Sequence, residues 1–72
     1  MSAEAKKILA ANLANVQESM DLDDVRFALQ LGVSRAELSH IRNLKTDIKL
    51  STIEKIASAL GMEPWELLKP QP

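Results

Sequence analysis

The stretch that decides the fold is Leu31-Gly32-Val33-Ser34-Arg35-Ala36-Glu37-Leu38-Ser39-His40-Ile41. Glycine ends a helix cheaply, because it accepts the left-handed conformation. Ser34 with Glu37 three residues on has the spacing of a capping box, which opens a new helix. Leu38 and Ile41 are the inward pair of that helix, which runs to about Asn43. Only Gly32 and Val33 separate the end of one helix from the cap of the next. So short a joint forces the two to cross steeply, the helix-turn-helix geometry.

Working upstream, Asp23 is an N-cap for a helix carrying Val25, Phe27, Ala28, Leu29 and Leu31. Before it, Ile8, Leu9, Leu13, Val16 and Met20 recur at three- and four-residue steps, which predicts an amphipathic helix over roughly 3–19. Downstream, residues 44–50 read as a polar loop. Ser51 and Glu54 repeat the capping-box spacing ahead of Ile53, Ile56, Ala57 and Leu60, and Gly61 closes that helix. Pro64 suits the first position of a fifth helix carrying Trp65, Leu67 and Leu68, and residues 69–72 read as a frayed tail. With no repeat, low-complexity tract or linker, the expectation is one all-α, five-helix domain over 1–72, its ordered core about 3–68.

Composition agrees. Hydrophobic residues are 46% and charged residues 26% of 72, ordinary for a globular domain and too apolar for a disordered chain. Aromatics are limited to Phe27 and Trp65, and alanine and leucine outnumber β-branched residues, which favours helix. Cysteine is absent and His40 is the one histidine, so neither a disulfide framework nor a zinc site is expected. No apolar run is long enough for a membrane span or a signal peptide, so a cytoplasmic setting is expected. The net charge is −1, but it is unevenly spread. Residues 33–50 carry four basic side chains (Arg35, Arg42, Lys45, Lys49) against two acidic ones (Glu37, Asp47), while residues 1–32 carry three basic against five acidic.

On a helical wheel for 35–43, Leu38 and Ile41 centre the buried side. Ala36, Ser39, His40 and Asn43 fall opposite, with Arg35, Glu37 and Arg42 on the flanks. That outer face is small and polar, and a nucleic-acid groove could receive it. Arginine binds guanine through two hydrogen bonds, an alanine methyl can touch a thymine methyl, and glutamate can accept from cytosine. Basic residues such as Arg42, Lys45 and Lys49 position a protein on phosphate rather than specify sequence.

Leu22 to Lys45, together with Ala59-Leu60-Gly61-Met62 and Leu67-Leu68, resembles the lambda-repressor-like, Cro-type helix-turn-helix family. The resemblance covers about residues 6–68. It implies a compact five-helix bundle whose third helix lies in the major groove of double-stranded DNA. The family's base-reading positions fall on Arg35, Ala36 and His40, with Ser34 and Glu37 beside them. Its phosphate-gripping segment falls on Asn43 to Thr46, with Arg42 and Lys49 adjoining. His40 has two open readings, a groove contact or an idle exposed side chain. Trp65, Leu67 and Leu68 are expected to form a homodimer seam, with Trp65 partly buried. Three positions depart from the family. The second helix opens on Asp24 where an amide usually donates to phosphate, so weakened binding is expected. Leu44 stands where a glycine often follows the recognition helix, which leaves Asn43 to take the left-handed turn. Ile48 replaces a loop proline.

The expected function is a sequence-specific DNA-binding transcriptional regulator of Cro or repressor type, of phage or prophage kind, nucleoid-associated and dimeric. The chain leaves no room for a ligand-sensing domain, so neither a cofactor nor a small-molecule ligand is expected. The alternative is a helix-turn-helix module turned to protein binding, antitoxin- or adaptor-like, which the acidic helix start and near-neutral charge motivate. An enzyme is not expected. Ser39 and His40 are sequence neighbours, which do not face each other on a helix, and no phosphate-binding glycine loop is present. Asp21, Asp23 and Asp24 lack the glycine and distal glutamate of a calcium loop and read as caps. Met20 and Met62 read as core fillers.

Overall fold

The structure, a computed structural model, describes residues 1–71. Five helices follow in order: α1 Ala3–Met20, α2 Asp24–Leu31, α3 Arg35–Arg42, α4 Leu50–Leu60 and α5 Pro64–Leu67. No strand occurs among the described residues, and no helix there is long and apolar enough to cross a membrane. Pro72, the last residue of the expected tail, lies outside the described residues.

Helix starts follow the local chemistry closely. Ser2 Oγ accepts from Ala5 N–H at 3.1 Å, Asp23 Oδ1 from Arg26 N–H at 2.8 Å and Ser34 Oγ from Glu37 N–H at 3.0 Å. Each bond satisfies a donor that the first turn would otherwise leave open. The fourth helix differs from expectation. It begins at Leu50 after Lys49, which makes no side-chain cap, so Ser51 lies inside the first turn and its expected capping box does not form. At α5, Pro64 takes the first position as expected, and the Glu66 carboxylate accepts from Glu63 N–H at 2.9 Å.

The ends of α1 to α4 share one device. Asp21, Gly32, Leu44 and Gly61 all have positive φ, at 53°, 75°, 59° and 68°. After each, a backbone N–H reaches back five residues in the Schellman pattern. Val33 donates to Ala28 O at 3.0 Å, Lys45 to His40 O at 3.0 Å and Met62 to Ala57 O at 2.8 Å. The left-handed residue after α3 is Leu44 and not Asn43, whose φ is −91°. The bond from Lys45 to His40 requires the turn one residue later than expected, and side-chain type does not overrule it.

The core is built from one stripe per helix. Leu9 and Leu13 come from α1, Phe27, Ala28 and Leu31 from α2, Leu38 and Ile41 from α3, Ile53, Ile56 and Ala57 from α4, and Leu67 from α5. Fully burying one such large side chain stabilises by roughly 1.5–3 kcal/mol. Met20, Leu22, Val33, Ile48 and Met62 pack around this centre half-buried. Val25 and Leu29, read as part of the α2 stripe, face outward at 51% and 80% exposure. α1 packs on α3 and α5, α2 on α3 and α4, and α4 on α5, so α3 is held from behind by α1 and α2.

Asn12 is the one buried polar residue among those described. Its Nδ2 donates to Leu67 O at 2.8 Å and to Lys69 O at 2.9 Å. These bonds staple the C-terminal segment to the middle of α1. Residue 69 is therefore tied down, where the sequence reading has a frayed tail from that point on.

Candidate nucleic-acid interface

α3 has eight residues, about 12 Å at 1.5 Å per residue. Leu38 and Ile41 point into the core, so the helix presents one fixed face. Arg35, Ala36, Ser39 and His40 are exposed on it, and Glu37 is half-buried at its edge. Ala36 and Ser39 keep the middle of the face shallow. Ser34 is exposed, with its oxygen used as the α3 cap. Beyond α3, Asn43, Lys45 and Lys49 are exposed, while Arg42 and Thr46 are half-buried. Thr46 Oγ1 donates to Asp47 O at 3.3 Å, and Asn43 Nδ2 to Ser39 Oγ at 3.3 Å. All ten residues expected to meet DNA thus lie on α3, its cap and the following loop.

Two grooves flank α3. One, of about 550 Å³, separates Ala36, Glu37 and His40 from Thr46, Lys49 and Thr52. The other, of about 410 Å³, runs between Asp24 on α2 and Arg35, Ser39 and Arg42 on α3.

Both grooves are edged by an acid that already holds a cation. Arg42 Nη1 donates to Asp24 Oδ1 at 2.6 Å, and Gln17 Nε2 donates to the same oxygen at 2.9 Å. The Gln17 bond, and then that from Arg42, hold the Asp24 carboxyl below the ordinary 3.8. On the other side, Lys6 Nζ stands 2.9 Å and the chain's amino terminus 3.5 Å from Asp47 Oδ1. The Lys6 hydrogen bond leads in lowering the Asp47 carboxyl likewise. This pair ties the loop to the start of α1, and half-buried Ile48 anchors it on the core in place of a proline.

Sequence reasoning anticipated neither ion pair. Asp24 and Arg42 are 18 residues apart, and no periodic signal links them. Asn12 could have been noticed, because it is an amide within the stripe running from Leu9 through Leu13 to Val16.

The expected dimer seam changes. Leu67 has no exposed surface, because it completes the core under α4 and α1, so it is unavailable to a second copy. Leu68 is half-buried. Trp65 is 61% exposed, more open than the partial burial expected, with Lys69 Nζ 5.8 Å from its ring centroid. Among the described residues no group of three His, Cys, Asp or Glu side chains could hold a metal.

Two helices joined by the Gly32–Val33 turn, the second presenting a polar face beside a basic loop, define a helix-turn-helix domain. The family model described as the Cro/C1-type HTH DNA-binding domain matches residues 6–72, and the chain belongs to that family. It is similar to the Neisseria hypothetical transcription factor of Neisseria meningitidis serogroup B, with 31% identity over 67 residues. That match covers 93% of this chain and 63% of the relative, so the chain spans somewhat under two-thirds of the relative's length. It is also similar to the crystal structure of the hypothetical transcription factor NHTF from Neisseria, with a TM-score of 0.82 and 30% identity. The superposition covers 97% of this chain and 83% of that one. The family is a DNA-binding class and not an enzyme class.

Proposed function

We propose that this chain is a sequence-specific transcriptional regulator of Cro or repressor type, which reads the major groove with α3. One observation carries the reading. The only strongly presented face of the recognition-type helix is small, polar and flanked by Arg35, Arg42, Lys45 and Lys49. A groove about 12 Å wide can take such a helix, and its N-terminal residues then meet base edges. Arg35, Ala36 and His40 contact bases, with Ser34 and Glu37 at the margin. Arg42, Asn43, Lys45, Thr46 and Lys49 contact phosphate. The relatives that are called transcription factors support the regulatory role.

The protein acts as a homodimer, whose seam includes Trp65 and Leu68. An exposed tryptophan beside a half-buried leucine on the last helix is the apolar surface that a symmetric contact would cover. Two such copies read half-sites about one helical turn apart. A second reading, a helix-turn-helix module that binds protein, is favoured by one observation: Arg42, beside the recognition face, is already paired with a carboxylate.

Selection from a pool of randomised duplex DNA at two salt concentrations, followed by sequencing, separates the two. An enriched, roughly palindromic motif is the expected result. Weak retention without enrichment, lost at modest salt, would reject the regulator reading and favour the protein-binding one.

A further inference from the structure

A single carboxylate oxygen joins three helices at the edge of the α3 face. Asp24 Oδ1, at the first residue of α2, receives Nη1 of Arg42 at the last residue of α3 and Nε2 of Gln17 on α1. Gln17 also donates from Nε2 to Leu22 O at 3.0 Å, so the amide is fixed by two acceptors and in turn fixes the carboxylate. Arg42's side chain is only 29% exposed while Asp24's is 55% exposed. Arg42 is thus the more shielded member of the pair, and Asp24 the more exposed. Arg35 lies near enough to contribute to the charge balance of the same carboxylate.

We propose that Asp24 limits the affinity of the DNA interface: its carboxylate retains Arg42, so a phosphate gains that cation only by breaking the pair and approaching a fixed negative charge. The proposal rests on α3 being the face that meets DNA. Phosphate contacts carry no sequence information, so a retained cation lowers affinity for every duplex alike. The effect is read most directly on arbitrary sequence, where cation–phosphate contact supplies almost all of the binding. The restraint is constitutive and not a pH switch, because a carboxyl held below 3.8 stays ionised at neutral pH.

The test measures binding of the full chain to a random-sequence duplex across a salt series. It uses the parent, Asp24→Asn, Arg42→Gln and the double variant, each checked for cooperative melting. Asp24→Asn keeps an oxygen for Gln17 and removes the charge, and Asp24→Gln removes it with a different side chain. Removing the charge is expected to tighten non-specific binding about fivefold or more at low salt. It should also steepen the plot of log affinity against log salt by about 0.9, the increment for one added phosphate contact. Arg42→Gln alone leaves the Asp24 carboxylate unpaired and should weaken binding, and in the double variant affinity should return to about the parent's, so that the gain vanishes. If the parent binds and the Asp24 variants bind no better, or if the gain survives loss of Arg42, the restraint is refuted while the DNA reading stands. If no variant binds duplex DNA at micromolar concentration, the reading of α3 fails and the proposal with it.

Discussion

Arg42 and Asp24 meet at 2.6 Å, the last residue of α3 against the first residue of α2. The pair closes the helix-turn-helix on its outer side, as Phe27 and Leu38 close it on the inner side within the core. Asp47 repeats the arrangement at the other edge, where Lys6 at 2.9 Å holds the loop after α3 to α1. The recognition surface is thus framed by two carboxylates whose cations come from neighbouring elements.

Acid should loosen this frame. Both carboxyls titrate below 3.8 in the folded domain, Asp24 chiefly through Gln17 and Arg42 and Asp47 chiefly through Lys6. A depressed folded value means the unfolded state binds the proton more readily, so the contribution is fully present above 3.8 and is lost as pH falls below it. Melting temperature should therefore drop below pH 3.8, and less steeply when Asp24→Asn is combined with Asp47→Asn. Parallel acid profiles for parent and double variant would show that other groups govern the loss.

Asn12 should matter more than its polarity suggests. Its amide serves two carbonyls, those of Leu67 and Lys69, at 2.8 and 2.9 Å. Truncation leaves the Leu67 carbonyl buried and without that donor, which costs about 1–3 kcal/mol. Asn12→Ala should lower stability by that amount and speed hydrogen exchange in α5 ahead of the rest. Asn12→Leu should not restore it, since an apolar side chain offers no donor. Unchanged stability and exchange would mean that the α5 segment is held by Leu67 packing alone.

The sequence was most informative where one local rule acts alone. Asp23 and Ser34 cap because a β-region residue with a short oxygen is followed by a free N–H, and both do so. Gly32 and Gly61 end helices for a similarly local reason. Failure came where a neighbour in space competes. Leu44 is left-handed because the backbone closes on His40 O, although asparagine next to it tolerates that conformation better. Leu67 looked like a surface candidate because its helix is too short to show a period, and only the packing of α4 and α1 puts it inside. In the recognition region, position was legible but state was not. Arg42 lies beside the expected face, yet its partner comes from 18 residues away.

Leu44 offers a direct check on the end of α3. At φ 59° an L-residue is disfavoured by roughly 1–2 kcal/mol. Glycine removes that strain but loses about 0.5–1 kcal/mol through its freer unfolded chain. Leu44→Gly should therefore raise stability by about 0.5–1 kcal/mol, roughly 2–8 °C in melting temperature for a domain of this size. Gly32→Ala should do the reverse. Its added Cβ meets nothing closer than Lys55 Cδ at 3.9 Å, so the backbone at φ +75° carries the whole effect. A Leu44→Gly variant that melts lower would show that the half-buried leucine side chain contributes more by packing than its backbone loses.

Arg35 is where base reading and phosphate positioning can be told apart. It is the first residue of α3 and is exposed, within the groove that also takes in Asp24 and Ser39. A bidentate contact to guanine discriminates by about 1–3 kcal/mol, roughly 5- to 150-fold, and is lost only on the preferred sequence. A phosphate contact is lost on every sequence alike, with a fall of about 0.9 in the salt slope. Arg35→Ala should therefore weaken binding to the selected motif by that fold-change and to random duplex far less. The preference for guanine at one position of the motif should relax as well. Equal weakening on both duplexes would move Arg35 to the phosphate-contacting set and leave Ala36, His40 and Glu37 to carry the sequence preference.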